Sequence, residues 1–194
     1  MIYMSPQNNI AGRAREFGQM LTPKSGRATP RGIWCADNGV FTGQYRFGAY
    51  FSWLWAMRPY RGECAFVPAP DVVSDARATR LRYWMTAPLI KAMGYPVAYV
   101  AQDDQENMAF PPMDAVFIGG STDWKMSPAA DACIRAGQAS GAWVHVGRVN
   151  SIKRIRHFKL VGVDSVDGTA LTYAPDVYYR LFGRALKQNP LMEI

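Results

Sequence analysis

Short apolar runs alternate with longer mixed segments along this chain of 194 residues. The runs are continuously apolar, which is typical of strands covered on both faces of a parallel sheet. Seven such strands are predicted, at residues 2–4, 33–36, 65–68, 97–101, 115–118, 143–146 and 161–166. Between them the sequence favours helices, at about 43–57, 75–93, 127–140, 150–159 and 176–187.

This alternation of strands and helices predicts a parallel sheet with helical crossovers. Seven strands favour a single α/β domain over residues 1–194, which we expect to be a small (β/α)8 TIM-like barrel. Because such a barrel has eight strands, the count of seven leaves open whether it is complete. A doubly wound open sheet is the alternative, but neither GxGxxG nor GxxxxGKS/T occurs in the chain. Gly119-Gly120-Ser121-Thr122 with Lys125 has the wrong spacing for a phosphate loop.

The charge of the chain points to a polyanionic partner. Its 194 residues are 49% hydrophobic, enough for one core, and its formal net charge is +7. Many cations lie in residues 148–159 and in residues 12–31, where Gly, Ser, Thr and Pro predict a basic flexible loop that orders on nucleic acid. A surface whose cations only contact solvent would have the same composition. If the cations bind nucleic acid, the candidate phosphate contacts are Arg27, Arg31, Lys125, Lys153, Arg154 and Arg156.

The cysteines do not indicate a metal site. Cys35, Cys64 and Cys133 are widely spaced, form no CxxC pair and make no cluster with either histidine. We therefore expect buried free thiols, without a structural zinc ion or another cofactor. No apolar run is long enough to span a bilayer, and no signal-peptide pattern begins the chain, so a cytoplasmic protein without membrane contact is expected.

Polar residues stand at the predicted carboxyl ends of several strands. Asp37 follows the strand at 33–36, Asp71 and Gln102 follow the next two, and Asp167 follows the last. Because these ends converge at the mouth of a barrel, the side chains should share one site. Two carboxylates can divide nucleophile and acid/base roles at a glycosidic carbon, although an Asp before a glycine is often only a turn or cap residue.

The same mouth should hold groups that recognise a purine. An acid, an amide and glycines with exposed N–H groups can bind the edge of such a base. Arg148 and Asn150 follow the strand at 143–146 and are candidates for substrate binding, as is His145, for which a core histidine is the alternative. Aromatic residues that could stack on the base, although core positions are commoner for them, are Phe41, Trp124 and Tyr173.

From about residue 33 to residue 176 the order of these segments resembles the tRNA-guanine transglycosylase superfamily. The similarity is greatest to its phage and bacterial branch, which exchanges guanine in DNA for a 7-deazaguanine. VGVDSVDGT at 161–169 is similar to the GxDxFD segment of the tRNA enzymes, and CADNGVF at 35–41 is similar to their DSGGF motif. FIGGSTDWK at 117–125, followed by HVGRVNS at 145–151, completes the resemblance.

The resemblance implies a barrel that exchanges bases through a covalent Asp-glycosyl intermediate. Asp167 matches the nucleophile that attacks C1′ of the nucleotide, and Asp37 matches the acid/base carboxylate. The residues that match the base-binding positions are Asp71, Gln102, Gly119 and Gly120.

The zinc-binding Cys/His motif of the tRNA enzymes is absent from the sequence, which favours DNA as the substrate. The implied partners are double-stranded DNA with its target base flipped out and a free 7-deazaguanine base of the preQ0 type, with a homodimer left open. If the gene is phage-borne, the protein would work in the cytoplasm of the bacterial host. Three alternatives remain: a DNA glycosylase or nucleoside hydrolase on the same scaffold, a tRNA-guanine transglycosylase, and a non-catalytic nucleic-acid-binding subunit.

Overall fold

Eight short parallel strands close into a barrel in the order in which they occur along the chain. The computed structural model describes residues 1–6 and 14–188. The first and last strands pair in parallel, with Met4 opposite Asp167, so the sheet closes on itself. The strands are β1 (Ile2–Ser5), β2 (Phe17–Leu21), β3 (Trp34–Ala36), β4 (Cys64–Pro68), β5 (Val97–Ala101), β6 (Ala115–Ile118), β7 (Trp143–Val146) and β8 (Ser165–Asp167). The predicted (β/α)8 barrel is confirmed and all its strands are present, whereas the open sheet is wrong.

Within the described ranges, α-helices follow five of the eight strands and pack around the barrel. They are α1 (Phe47–Met57), α2 (Ala76–Ala92), α3 (Thr122–Lys125), α4 (Pro128–Ala139), α5 (Ile152–Val161), α6 (Ala170–Tyr173) and α7 (Pro175–Lys187). Local chemistry fixes where several of them begin. Asp75 caps α2 by accepting the N–H of Ala78 at 2.8 Å. Helix α4 begins with a proline, which fits there because the first N–H groups of a helix have no partner within it and proline has no N–H.

Strand β2 lies inside the segment predicted as a basic flexible loop, so that prediction is wrong between residues 17 and 21. All five residues of the strand are buried. Its sequence, FGQML, contains no β-branched residue, which is why the pattern is missed. Gly18 is needed for the close approach of neighbouring strands, because a Cβ there would lie 2.6 Å from Met4 Sδ and 2.9 Å from the carbonyl oxygen of Ile33. Residues 12 and 13 of the predicted loop lie outside the described residues.

The predicted last strand is also displaced along the chain. Residues 152–161 form α5, which ends at Gly162 with φ +87°, and β8 begins only at Ser165. The apolar residues that resemble a strand start, Val161 and Val163, therefore belong to the end of the helix and the connection after it. Asp167, the last residue of β8, is placed at the carboxyl end of the barrel.

The core has two layers. The inside of the barrel is filled by Met4, Met20, Cys35, Phe66, Ala98 and Ala115, while a larger apolar layer lies between the strands and the helices. All three cysteines are free and buried, as predicted. Among the described residues, no helix is long and apolar enough to cross a membrane.

Candidate active site

A pocket of about 390 Å³ opens at the carboxyl ends of the strands. Its volume is within the range of about 300–1,000 Å³ that is usual for small-molecule sites. Asp37 and Asp167, 130 positions apart in the sequence, both line it, so the prediction that they share one mouth of the barrel is confirmed. Also on its wall are Asp71, Gln102, Gly119, Gly120, Arg148 and Asn150.

Asp167 is held by donors on both carboxylate oxygens. The Oδ2 atom lies 2.9 Å from His145 Nε2, and Oδ1 accepts the backbone N–H of Arg148 at 3.1 Å. The side chain nevertheless retains some solvent exposure on the pocket side. These two contacts fix the plane of the carboxylate, which suits a nucleophile that must attack along one direction.

Asp37 has a different environment from Asp167. Burial raises the pKa of the Asp37 carboxyl group, the N–H of Gly39 at 2.9 Å opposes the rise, and the charges of Asp167 and Asp71 add to it. A carboxyl group with a raised pKa keeps its proton closer to neutral pH and can donate it. The pocket therefore contains one carboxylate stabilised by N–H donors and one carboxyl group suited to proton transfer.

Asp71 lies at the centre of a buried polar network on the adjacent wall. Its two oxygens accept hydrogen bonds from Asn38 Nδ2 at 2.9 Å and Gln102 Nε2 at 2.7 Å. The amide orientations follow from backbone donors, because Asn38 Oδ1 accepts the N–H of Val40 and Gln102 Oε1 accepts that of Ser74. Burial raises the pKa of Asp71, and the two amide hydrogen bonds counteract the rise.

Gly119 and Gly120 follow β6 and line the pocket. A Cβ at 119 would lie 2.9 Å from Val100 Cγ1, and one at 120, where φ is +34°, would lie 2.6 Å from Asp103 Oδ1. Only glycine fits these positions without moving neighbours. The missing side chains are therefore required by the packing of Val100 and Asp103 behind the glycines.

Arg148 connects three of the loops around the mouth. Its guanidinium group lies 4.1 Å above the ring of Phe41, and it donates to the carbonyl oxygens of Gly119 and Gly120. Its backbone has a φ of +61°, which is unusual for a residue with a side chain. On the far side of the same loop, Asn150 accepts the N–H of Ala170 at 3.0 Å.

His145 is not placed on the pocket wall, so the prediction that it contacts the substrate is wrong. The side chain is completely buried inside the barrel, where its ring lies between Phe66 and Phe117 at centroid distances of 4.9 and 4.6 Å. His145 occupies an inward-facing position of β7, below the pocket. Its connection with the pocket is its hydrogen bond to Asp167.

Lys125 is likewise misassigned as a nucleic-acid contact. It is only 3% exposed, and its Nζ donates to the carbonyl oxygen of Gly147 at 2.6 Å. Burial lowers the pKa of the amine to about 7, the positive charges of Arg148 and Arg154 lower it further, and the negative charge of Asp167 raises it. A buried amine of this kind cannot touch a phosphate of DNA.

The lowered pKa of Lys125 makes protein stability depend on pH. Between about pH 7 and the ordinary pKa of 10.5, the unfolded chain binds the proton more tightly than the folded chain does, so this residue adds stability as pH rises. Relative to Lys125→Met, the wild-type free energy of unfolding should increase by up to about 1.4 kcal/mol per pH unit in that window. Urea denaturation at several pH values measures the difference, and parallel profiles for the two proteins would contradict it.

The other predicted phosphate contacts are distributed around the protein. Arg27, Arg31, Lys153 and Arg156 are exposed, and Arg154 is half-buried. Lys153 and Arg156 lie in the first half of α5, which begins on the side of the mouth because it directly follows β7. These positions are compatible with contacts to DNA around the pocket, and the contacts remain a prediction.

Asn38 on the pocket wall is not among the predicted site residues, whereas Phe41 is among the residues predicted to be able to stack on a base. Asn38 faces Asp71, and the only signal for it is its position directly after Asp37 in the motif. Phe41, for which a core position is the commoner expectation, is 59% exposed at the rim. Among the residues that the structure describes, no group of three or more His, Cys, Asp or Glu side chains could hold a metal ion.

No protein-family model and no curated protein sequence matches the chain. Solved structures with a similar fold include 3-hexulose-6-phosphate synthase from Salmonella typhimurium, with 18% identity and a TM-score of 0.48 over 80% of this chain and 74% of that one. Another, described as a glycerophosphoryl diester phosphodiesterase from Silicibacter pomeroyi, has 13% identity and a TM-score of 0.38 over 70% of this chain and 46% of its own. These similarities concern architecture alone and say nothing about the activity of this chain.

Proposed function

We propose that this protein is a glycosyltransferase that exchanges guanine in DNA for a 7-deazaguanine base through a covalent intermediate on Asp167. The main support is the pairing of two unlike acids in one pocket. Asp167 has N–H donors on both oxygens, whereas burial raises the pKa of Asp37. Two carboxyl groups with separate environments suit a reaction that needs a nucleophile at the glycosidic carbon and a proton donor for the departing base.

In the first half of the reaction the guanine leaves the sugar. A lone pair of the Asp167 carboxylate forms the bond to C1′ as the bond between C1′ and N9 breaks and its electron pair moves to the base. The protonated Asp37 gives its proton to the departing guanine, which leaves as a neutral molecule. The products are a glycosyl ester on Asp167 and an ionised Asp37.

In the second half the acid/base role of Asp37 is reversed. The ionised carboxylate takes the N9 proton of the incoming 7-deazaguanine, and the N9 lone pair attacks C1′. The ester bond breaks, its electrons return to Asp167, and Asp37 is protonated again for the next cycle. The phosphodiester backbone is unchanged, and both acids are regenerated.

The remaining walls of the pocket supply recognition of the base. Asp71 can accept hydrogen bonds from the ring and exocyclic N–H groups of guanine, because each carboxylate oxygen has two lone pairs and Asn38 and Gln102 use one each. Gly119 and Gly120 line the pocket without side chains, so we expect a planar base to lie against them. A target base must first leave the duplex to reach this depth.

Basic residues around the mouth should make DNA binding depend on salt. We expect Lys153→Ala with Arg156→Ala to reduce the slope of log K against log salt by about 1 for each phosphate that the protein no longer neutralises, whatever the DNA sequence. Fluorescence anisotropy with a labelled duplex at several salt concentrations measures this slope.

A matched control for these two charges lies at the other end of the barrel. Lys91 and Lys187 are in the last turns of α2 and α7, far from the mouth, where they pair with Asp114 at 3.6 Å and Glu16 at 3.8 Å. Lys91→Ala with Lys187→Ala removes the same charge and should leave the slope unchanged. Equal slopes for both double variants and the wild type would mean that Lys153 and Arg156 belong to a solvated surface.

The decisive experiment supplies both substrates. In separate reactions the protein is incubated with duplex DNA or with tRNA, each with isotopically labelled guanine or 7-deazaguanines, and the nucleosides are then analysed by mass spectrometry. Label in intact DNA supports exchange, whereas alkali-labile sites would indicate a hydrolase. Label in a tRNA substrate but not in DNA would place the protein with the RNA enzymes. The absence of all three products would favour a non-catalytic binding subunit.

A further inference from the structure

A chain of hydrogen bonds inside the barrel ends on Asp167. The indole Nε1–H of Trp143 donates to Ser165 Oγ at 2.8 Å, Ser165 Oγ lies 2.8 Å from His145 Nδ1, and His145 Nε2 lies 2.9 Å from Asp167 Oδ2. Trp143 and His145 alternate on β7, Ser165 and Asp167 alternate on β8, and His145 is paired with Ser165 in the sheet register. Both His145 and Ser165 are completely buried.

The donors and acceptors in this chain determine which imidazole nitrogen carries the proton. An indole N–H can only donate, so Ser165 Oγ accepts from Trp143 and its own hydroxyl proton is available for His145 Nδ1. A carboxylate oxygen can only accept, so His145 Nε2 carries the proton that points at Asp167 Oδ2, and Nδ1 can accept the hydroxyl proton of Ser165. Phe66 and Phe117 contact the ring and separate this arrangement from water.

We propose that His145 is a positioning residue that fixes the carboxylate of Asp167 for attack through Oδ1. This inference rests on the proposed function of Asp167. Oδ2 lies between His145 and Gly147, and the space there is so narrow that a Cβ added to Gly147 would lie 3.3 Å from this oxygen. Oδ1, in contrast, accepts the longer hydrogen bond from the N–H of Arg148. Oδ1 is therefore the oxygen that forms the bond to C1′.

The arrangement serves both halves of the exchange. In the free enzyme the Nε2–H prevents the carboxylate from rotating away from the approach line, which is a requirement for rapid attack. In the ester, Oδ2 becomes the carbonyl oxygen and keeps the same donor. When the ester breaks, the carboxylate charge returns to an oxygen whose hydrogen bond is already formed.

The test compares two substitutions of His145 that differ in their ability to donate. His145→Leu removes the donor, and His145→Gln retains an N–H group. We expect His145→Leu to slow adduct formation in single-turnover experiments by roughly 10²-fold, with DNA affinity unchanged, and His145→Gln to recover most of that loss. Ser165→Ala should give an intermediate rate, because Nδ1 loses the partner that sets the tautomer.

The other histidine provides the matched control. His157 also faces an aspartate, with Nε2 3.5 Å from Asp131 Oδ1, but it lies on the outer helix α5. His157→Leu should therefore react at the wild-type rate. A wild-type rate for His145→Leu, or equal losses for His145→Leu and His145→Gln, would overturn the positioning role.

Nitrogen NMR of the imidazole rings tests the inference without relying on activity. In the wild type, His145 should carry its proton on Nε2, and Asp167→Asn should shift that signal while the His157 signal stays in place. A proton found only on Nδ1 of His145 would overturn the inference even if the enzyme exchanges bases. If the wild type forms no adduct but the Nε2–H signal responds to Asp167→Asn, the proposed function fails, and with it the role in attack, although the contact itself stands.

Discussion

Replacing Asp167 with Asn should abolish the covalent adduct and the release of guanine, with a loss on the order of 10⁴-fold or more. A neutral amide can neither form the bond to C1′ nor stabilise the positive charge that develops on the sugar. Wild-type protein incubated with DNA and no acceptor base should give a protein–DNA adduct on a denaturing gel. Asp167→Asn should give none.

Asp164 offers a control within the same segment of sequence. It lies three residues before Asp167 but at the opposite end of the barrel, where its Oδ2 accepts the backbone N–H of Val144 at 2.8 Å. An asparagine oxygen can accept this bond equally well, so Asp164→Asn should form the adduct at the wild-type rate. If Asp167→Asn exchanges bases as fast as Asp164→Asn, the nucleophile is another residue and the barrel resembles the transglycosylases in fold without their chemistry.

Asp37→Asn should reduce exchange by roughly 10²–10⁴-fold, the range typical of a lost general acid/base group. The loss should depend on whether the leaving base needs a proton. N7-methylguanine leaves as a neutral base without protonation, so wild type and Asp37→Asn should release it at similar rates from a duplex that contains it. A loss of the same size on both bases would contradict the role of Asp37 as the proton donor.

The same substitution should make the protein more stable at neutral pH. Because burial raises the pKa of Asp37, the folded chain binds this proton more tightly than the unfolded chain, and stability falls as pH rises from the unfolded pKa towards the folded one. Asparagine removes this cost and can still accept the N–H of Gly39. Thermal denaturation should show a higher melting temperature for Asp37→Asn at pH 7 and a gap that closes in acid. Asp71→Asn should not stabilise the protein in this way, because its new amide would face the N–H groups of Asn38 and Gln102.

The sequence is sufficient to predict the barrel and most of the pocket wall, for one physical reason. The strands of a parallel barrel are apolar on both faces, and their carboxyl ends lie together at its mouth. The position of an acid or amide directly after such a strand can therefore be predicted without knowing where the helices lie. Asp37, Asp71, Gln102 and Asp167 all follow this rule. The strand β2 escapes it because glycine and glutamine replace the expected β-branched residues.

Side-chain direction and depth are the properties that the pattern does not determine. Lys125 and Lys153 look equally suited to phosphate contacts in the sequence, yet the first is buried against Gly147 and the second is exposed. His145 stands at an inward position of its strand, which explains its contact with Asp167, but a single histidine in an apolar run gives no hint of its partner. Such assignments depend on contacts between residues about twenty positions apart.

Closure of the barrel has a consequence for synthesis of the protein. Asp167, the proposed nucleophile, occupies the last strand, opposite Met4 of the first, and Tyr3 and Phe17 pack at 5.0 Å against Phe182 and Tyr179 of α7. A chain still emerging from the ribosome can contain every base-binding residue and have no Asp167 in place. Under the proposed mechanism, an unfinished chain would therefore be unable to break a glycosidic bond, and partially made enzyme would leave the DNA of the cell intact.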